Sequence, residues 1–188
     1  MESAEHLVRV LSLQARGVQV LIWEQKIDLM RAIVLLKAAL PGFPDSPVLL
    51  PTEAAALLEF SIRLFEQAEN ATPVERRVIL IPQGNTTVAG EWLNGWRRQL
   101  AQSPGTLIVI RRIDFNTLCR AAPDLMSFAQ SDVHEVTELL PLVEKATLDH
   151  LTFRLSDLWY EALEALPGAM PSDEEIADWL SQLQSSAD

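Results

Sequence analysis

The chain has 188 residues, 48% of them hydrophobic and 22% charged, with a formal net charge of −11. Such a composition excludes a disordered chain and suits one domain, which at this length buries roughly 70% of its unfolded surface. Cys119 is the only cysteine, which excludes an intrachain disulfide and a thiolate-rich zinc site and fits a reducing compartment.

The opening residues carry Glu2, Glu5 and Arg9 and lack the basic start and unbroken apolar run of a secretory signal. No stretch reaches the about 18 apolar residues of a membrane span, so a cytoplasmic location is expected. The run GVQVLIW at 17–23 reads as a strand and leads into Glu24-Gln25. Residues 27–40 read as a helix, with Ile27, Met30, Ile33 or Val34, and Leu36 or Leu40 on one stripe, ended by Pro41-Gly42. A weaker strand lies at 48–50 between Pro47 and Pro51. Residues 52–68 form a second expected helix, with Thr52 as N-cap and Leu57, Leu58, Ile62 and Phe65 as its apolar positions.

The second strong strand is RRVILIP at 76–82, followed by Gln83-Gly84-Asn85. Residues 87–102 then read as one helix with Trp92, Leu93, Trp96 and Leu100 on a stripe. GTLIVIR at 105–111 is the third strong strand, residues 115–122 a short helix closed by Pro123, and residues 132–136 a weak strand. The strong strands have apolar, β-branched cores of about four to six residues, short for helices and right for strands buried on both faces. Strands alternating with helices predict an α/β fold, a mostly parallel sheet with helices on both faces. Beyond residue 136 the pattern turns helical, with residues 137–166 broken at Pro141. Ser172-Asp-Glu-Glu175 is a capping box that opens a last helix through Ile176, Trp179, Leu180 and Leu183. The expected organisation is an α/β domain over 1–136 and an acidic helical appendage over 137–188, packed on the domain or extending from it.

Charge follows the same division. Residues 1–131 hold 13 acidic and 13 basic side chains, whereas residues 132–188 hold 13 acidic ones against Lys145 and Arg154 alone. An acidic face repels phosphate backbones, which argues against nucleic acid as the partner. Solubility is the ordinary reason for such a face.

Ligands of open parallel sheets gather at the carboxyl ends of strands, and catalytic motifs are missing there. After the first strand a P-loop would show GxxxxGK[ST]; this chain has Glu24-Gln25-Lys26-Ile27, without glycine. GxGxxG is absent too. The second strong strand ends in Pro82-Gln83, where a magnesium site would need a carboxylate. Asp114 is either a catalytic acid or a helix cap, the cap being the ordinary role. His6, His134 and His150 lack ligand spacing, although His134 is near Glu135 and Glu138; Ser103 and Ser127 lack a GxSxG setting. No catalytic residue, metal or cofactor is therefore expected.

Three arginine pairs stand out: Arg76-Arg77, Arg97-Arg98 and Arg111-Arg112. Guanidinium forks suit carboxylates and phosphates, so the pairs read as an anion site, a surface for an acidic partner, a dock for the appendage, or dispersed surface charge. Trp92 and Trp96 read either as core residues or, with the arginines, as interface anchors.

Residues 91–111, EWLNGWRRQLAQSPGTLIVIR, and the following Cys119-to-Phe128 segment resemble the N-terminal AAA/STAND-like domain of bacterial signalling and defence proteins that carry tetratricopeptide repeats. The matching positions are Leu93-Asn94, Arg97-Arg98, 107–110, Ala122-Pro123-Asp124 and Ser127-Phe128. The resemblance implies a P-loop-type fold with eroded nucleotide motifs, used for regulation or assembly. No repeat array follows, and Ala129-Gln130-Ser131-Asp132 replaces the aromatic, arginine-bearing continuation. The expected function is a non-catalytic adaptor or regulatory domain in bacterial signalling or antiphage defence. Its partner would be a protein encoded nearby, with homo-oligomers also open. The alternative is a nucleotide or phosphate sensor or enzyme using Arg97, Arg98, Arg111 and Arg112.

Overall fold

The computed structural model describes residues 17–39, 43–44, 47–57, 59–61, 78–102, 105–129, 133–137 and 157–185. Five strands form one sheet: β1 (Val18–Trp23), β2 (Val48–Leu50), β3 (Val78–Pro82), β4 (Thr106–Arg111) and β5 (Val133–Glu135). Their order is β2-β3-β4-β1-β5, and every pairing is parallel. The α/β expectation, with both weak strands, is met. The helices are α1 (Lys26–Ala39), α2 (Thr86–Gly95), α3 (Arg97–Gln102), α4 (Arg112–Ala121), α5 (Pro123–Phe128), α6 (Asp157–Ala165) and α7 (Asp173–Ser185), with further helical residues at 54–57 and 59–61.

β1 is buried along its whole length because β4 and β5 flank it and helices cover both faces. Its side chains alternate between two cores. Leu21 and Trp23 join Ile79, Ile81, Leu107 and Val109 beneath α1, α6 and α7. Val18, Val20 and Ile22 join Leu80, Ile108 and Ile110 beneath α2 to α5. Right-handed crossovers explain the division. The step from β1 to β2 runs one way across the sheet, and the later steps run the other way. Their helices must therefore lie on opposite faces.

The helix expected over 87–102 is two helices. Trp96 closes α2 (φ −97°, ψ 10°) with its amide on Asn94 and Trp92 carbonyls. Asn94 holds the break from both sides. Its carbonyl accepts from Arg97 Nη1 at 2.8 Å, and its side-chain oxygen accepts from the Leu125 amide at 3.0 Å. At the other end Asn85 caps α2, its Oδ1 accepting from Thr87 and Val88 amides at 3.1 and 3.4 Å. Asn85→Ala should therefore cost about 1 kcal/mol, read as a lower urea midpoint at unchanged slope.

α4 begins at Arg112, three residues earlier than expected, and Asp114 lies in its first turn. It is not a cap: the residue preceding α4 is Arg111, and Asp114 accepts from Arg111 Nε at 2.8 Å. At α7 the capping box forms as expected. The Ser172 hydroxyl accepts from the Glu175 amide at 3.2 Å, and Glu175 accepts from the Ser172 amide at 2.7 Å. The Ser172 amide and hydroxyl, both within donating distance of its Oε2, hold the Glu175 carboxyl below its ordinary range. Helix positions at 40–42, 62–68 and 138–156 lie outside the described residues.

α6 and α7 share the core of α1. Trp159, Leu163, Leu166 and Trp179 are buried among Leu29, Ile33 and the strand residues of that face. The Trp159 ring stacks on Phe43 at 6.3 Å, and its indole N–H donates to the Pro44 carbonyl at 3.3 Å. Arg31 lies over the Trp179 ring at 5.5 Å.

Candidate functional site

β1 and β4 are neighbours whose connections leave to opposite faces, so the crevice at their carboxyl ends is the topological switch point where open α/β sheets take ligands. Three loops meet there. Trp23-Glu24-Gln25 follows β1, Gln83-Gly84-Asn85 follows β3, and Arg111 passes directly into α4. A fourth segment, residues 166–171 between α6 and α7, lies across them. Leu166 is inserted in the core beside Trp23, and residues 167–171 line a cavity over the start of α1.

Two cavities result. The first, about 270 Å³, lies between Trp23, Glu24, Gln25, Lys26 and Ile27 on one side and residues 167–171 with Glu175 on the other. The second, about 240 Å³, is bounded by the ends of β3 and β4, by Gln83, Thr86, Arg111 and Asp114, and by Leu166 and Pro167. Trp23 and Pro167 border both.

Lys26, the first residue of α1, has only 5% of its surface exposed, and its ammonium has no hydrogen bond or ion pair among the described residues. Burial lowers its pKa, opposed by the field of Glu164. Trp23 Nε1 is likewise buried without a hydrogen-bond partner. Gly168 lets the covering turn take its path, because its φ of +105° favours glycine; a Cβ there would meet Lys26 Cε at an ordinary 3.9 Å.

The arginine pairs do not form one site. Arg76 and Arg77 lie outside the described residues. Arg97 and Arg98 open α3 after α2 has run back from the carboxyl end of β3, whereas Arg111 and Arg112 stand at the carboxyl end of β4. Of the four that are described, three are engaged within the chain. Arg97 Nε is 3.4 Å from Asp124, and Arg111 bonds Asp114. Arg112 reaches Glu24 at 3.5 Å and pairs with Glu135, which raises the Arg112 pKa. Arg98 is exposed, with no ion pair among the described residues. The contact of α6 and α7 with the body runs through tryptophans, leucines and Arg31.

Trp92 and Trp96 pack against the core beneath α2. The Trp92 indole donates to Ser61 Oγ at 2.7 Å, and its ring meets Phe60 at 5.6 Å. Among the described residues no three or more of His, Cys, Asp and Glu are placed to hold a metal, and no helix is long and apolar enough to cross a membrane. His6, Ser103 and His150 lie outside the described residues.

Lys26 and Trp23 were not singled out from sequence. Lys26 stands in sequence between the first strand and the helix expected over 27–40, and the 167–171 turn that faces it is about 140 residues away. Comparison with known proteins finds no matching family, no matching curated protein and no matching solved structure.

Proposed function

We propose that this chain is a regulatory or adaptor domain that works by protein contact and does not turn over a nucleotide. The observation that carries this reading is residues 166–171 seated across the carboxyl end of β1, the place where a P-loop would hold phosphates. A triphosphate there would lie against Glu24 and beneath residues 167–171. The end of β3 supplies Pro82 and Gln83 in place of a metal-binding carboxylate. The central position of β1, between β4 and β5, agrees with the P-loop-type fold that residues 91–128 resemble. That resemblance supplies the proposed setting, bacterial signalling or antiphage defence.

The contact face we favour is the outer surface of α4 and α5. Ile113 is 76% and Phe128 53% exposed, with exposed Arg120 on α4 and Arg98 on the adjacent α3. Large apolar side chains beside arginine are the composition of interface anchors.

Calorimetric titration with Mg-ATP and a phosphate-release assay should both be silent. Crosslinking in the native host should recover a protein partner that an Ile113→Asp, Phe128→Asp double variant loses while keeping its melting temperature. Saturable ATP binding with phosphate release would overturn the reading, and so would a native host that yields no crosslinked partner.

A further inference from the structure

We propose that the 270 Å³ cavity between the start of α1 and residues 167–171 binds a small apolar carboxylate, either a free acid or an amino acid. This inference goes beyond the contact reading and does not depend on it.

The first argument is a buried donor with a lysine beside it. Lys26 is 95% buried by its 5% exposure, lines the cavity, and has no hydrogen bond or ion pair among the described residues. Trp23, 2% exposed, borders the same space with an indole N–H that lacks a partner. Native interiors rarely leave a group such as this indole N–H unsatisfied, because it forfeits its hydration without return. An unpartnered indole N–H and a lysine on one cavity point to an acceptor that joins them.

The second argument is the helix beneath. α1 is 14 residues long, and its first intrahelical bond runs from the Leu29 amide to the Gln25 carbonyl. The amides of Lys26, Ile27 and Asp28 therefore lack intrahelical acceptors, and the positive end of the helix dipole faces the site. An anion there meets backbone amides, an ammonium and an indole N–H together.

The walls and rim select the ligand. Ile27, Met170, Pro167 and Pro171 are apolar, and the volume holds a molecule of roughly eight heavy atoms, taking about 30 Å³ per water displaced. Glu24 and Glu175 stand at the edge. Arg112 draws the charge of Glu24, and the capping box holds that of Glu175, so a single negative charge is admitted. Phosphate dianions and nucleotides would meet both carboxylates with only one lysine to offset them. A monoanion with an apolar tail is what remains.

The test uses the full chain with 4-methylpentanoate, leucine, inorganic phosphate and Mg-ATP as probes. At about a hundredfold excess over Kd, either acid should raise Tm by about 5–10 °C and shift the Trp23 indole N–H resonance. Phosphate and Mg-ATP should do neither. A response to 4-methylpentanoate alone identifies a free acid as the ligand, and one to leucine alone an amino acid. Lys26→Met keeps the buried stem and removes the charge, so it should fold with little change in Tm and lose both responses. Trp23→Phe should fold and respond more weakly, and assigns the resonance. A wild-type protein unmoved by both acids at millimolar concentration overturns the proposal. So does an undiminished response in Lys26→Met, or stabilisation by phosphate alone. Stabilisation by Mg-ATP would instead count against the contact reading, which keeps the two failures apart.

Discussion

Trp159→Ala should lower the stability of the whole chain by about 3–5 kcal/mol, the range for emptying a buried tryptophan site. At this chain length each kcal/mol moves Tm by roughly 2–4 °C, so thermal unfolding should show a large displacement. Trp159 is fully buried, and removing its ring takes away the Phe43 stack and the bond to the Pro44 carbonyl together. It would also open a void between α6 and α1, and interiors at native packing density collapse into such voids only in part. Trp159→Phe keeps the stack and loses the indole bond, so it should cost less than half as much.

The same experiment reads the organisation of the chain. A 137–188 appendage that merely extended from the α/β domain would allow α6 to melt away from the sheet with little effect on it. Trp159, Leu163, Leu166 and Trp179 instead lie in one core with Leu21, Leu29 and Val109. One cooperative transition, coincident by far-UV and near-UV signals, is therefore expected in both wild type and variant. Two separated transitions, with the sheet unaffected by Trp159→Ala, would contradict a shared core.

The strands were legible in sequence because burial on both faces demands unbroken apolar runs. VQVLIW and TLIVIR can serve as little else between turn residues. Val48–Leu50 and Val133–Glu135 were legible more faintly, since edge strands of three residues carry little pattern. The helical pattern over 137–166 and the capping box of α7 were visible as well. What they cover was not, because the stack of Trp159 on Phe43 joins positions more than a hundred residues apart.

Helix ends were misread where tertiary contacts decide them. The stripe through Trp92, Leu93, Trp96 and Leu100 continues across Trp96, so periodicity sees one helix. The break is fixed by Asn94 bonding to Leu125 and by Arg97 taking the Asn94 carbonyl. Likewise the expected strand at 105–111 and helix at 115–122 leave Arg112 to Asp114 in neither, yet pairing of Asp114 with Arg111 and of Arg112 with Glu135 lets the helix begin at once. The candidate site was legible only as a deficit, a loop without glycines. Its donors, Lys26 and Trp23, became apparent only with the 167–171 turn in place above them.

Gly90→Ala should destabilise the protein by about 1–3 kcal/mol, although the same change in an exposed helix interior stabilises by about 1 kcal/mol. Gly90 lies in the middle of α2, where that helix crosses α4. A Cβ at position 90 would stand 2.5 Å from Ala121 Cβ and 3.5 Å from Leu118 Cδ1. The first separation is one that real Cβ atoms do not reach, so the helices must part or slide. Ala121 ends α4 and is followed by buried Ala122 and Leu125, so a shift there disturbs the packing of α5 as well. Ala121→Gly in the Gly90→Ala background removes the opposing methyl and should recover most of the loss. Ala121→Gly alone should destabilise modestly through helix propensity and lost contact. The cycle should therefore return a favourable coupling of about 0.5–3 kcal/mol between the two positions, measured from urea midpoints of the four proteins. Additive losses across that cycle would mean that the helices do not meet at these residues.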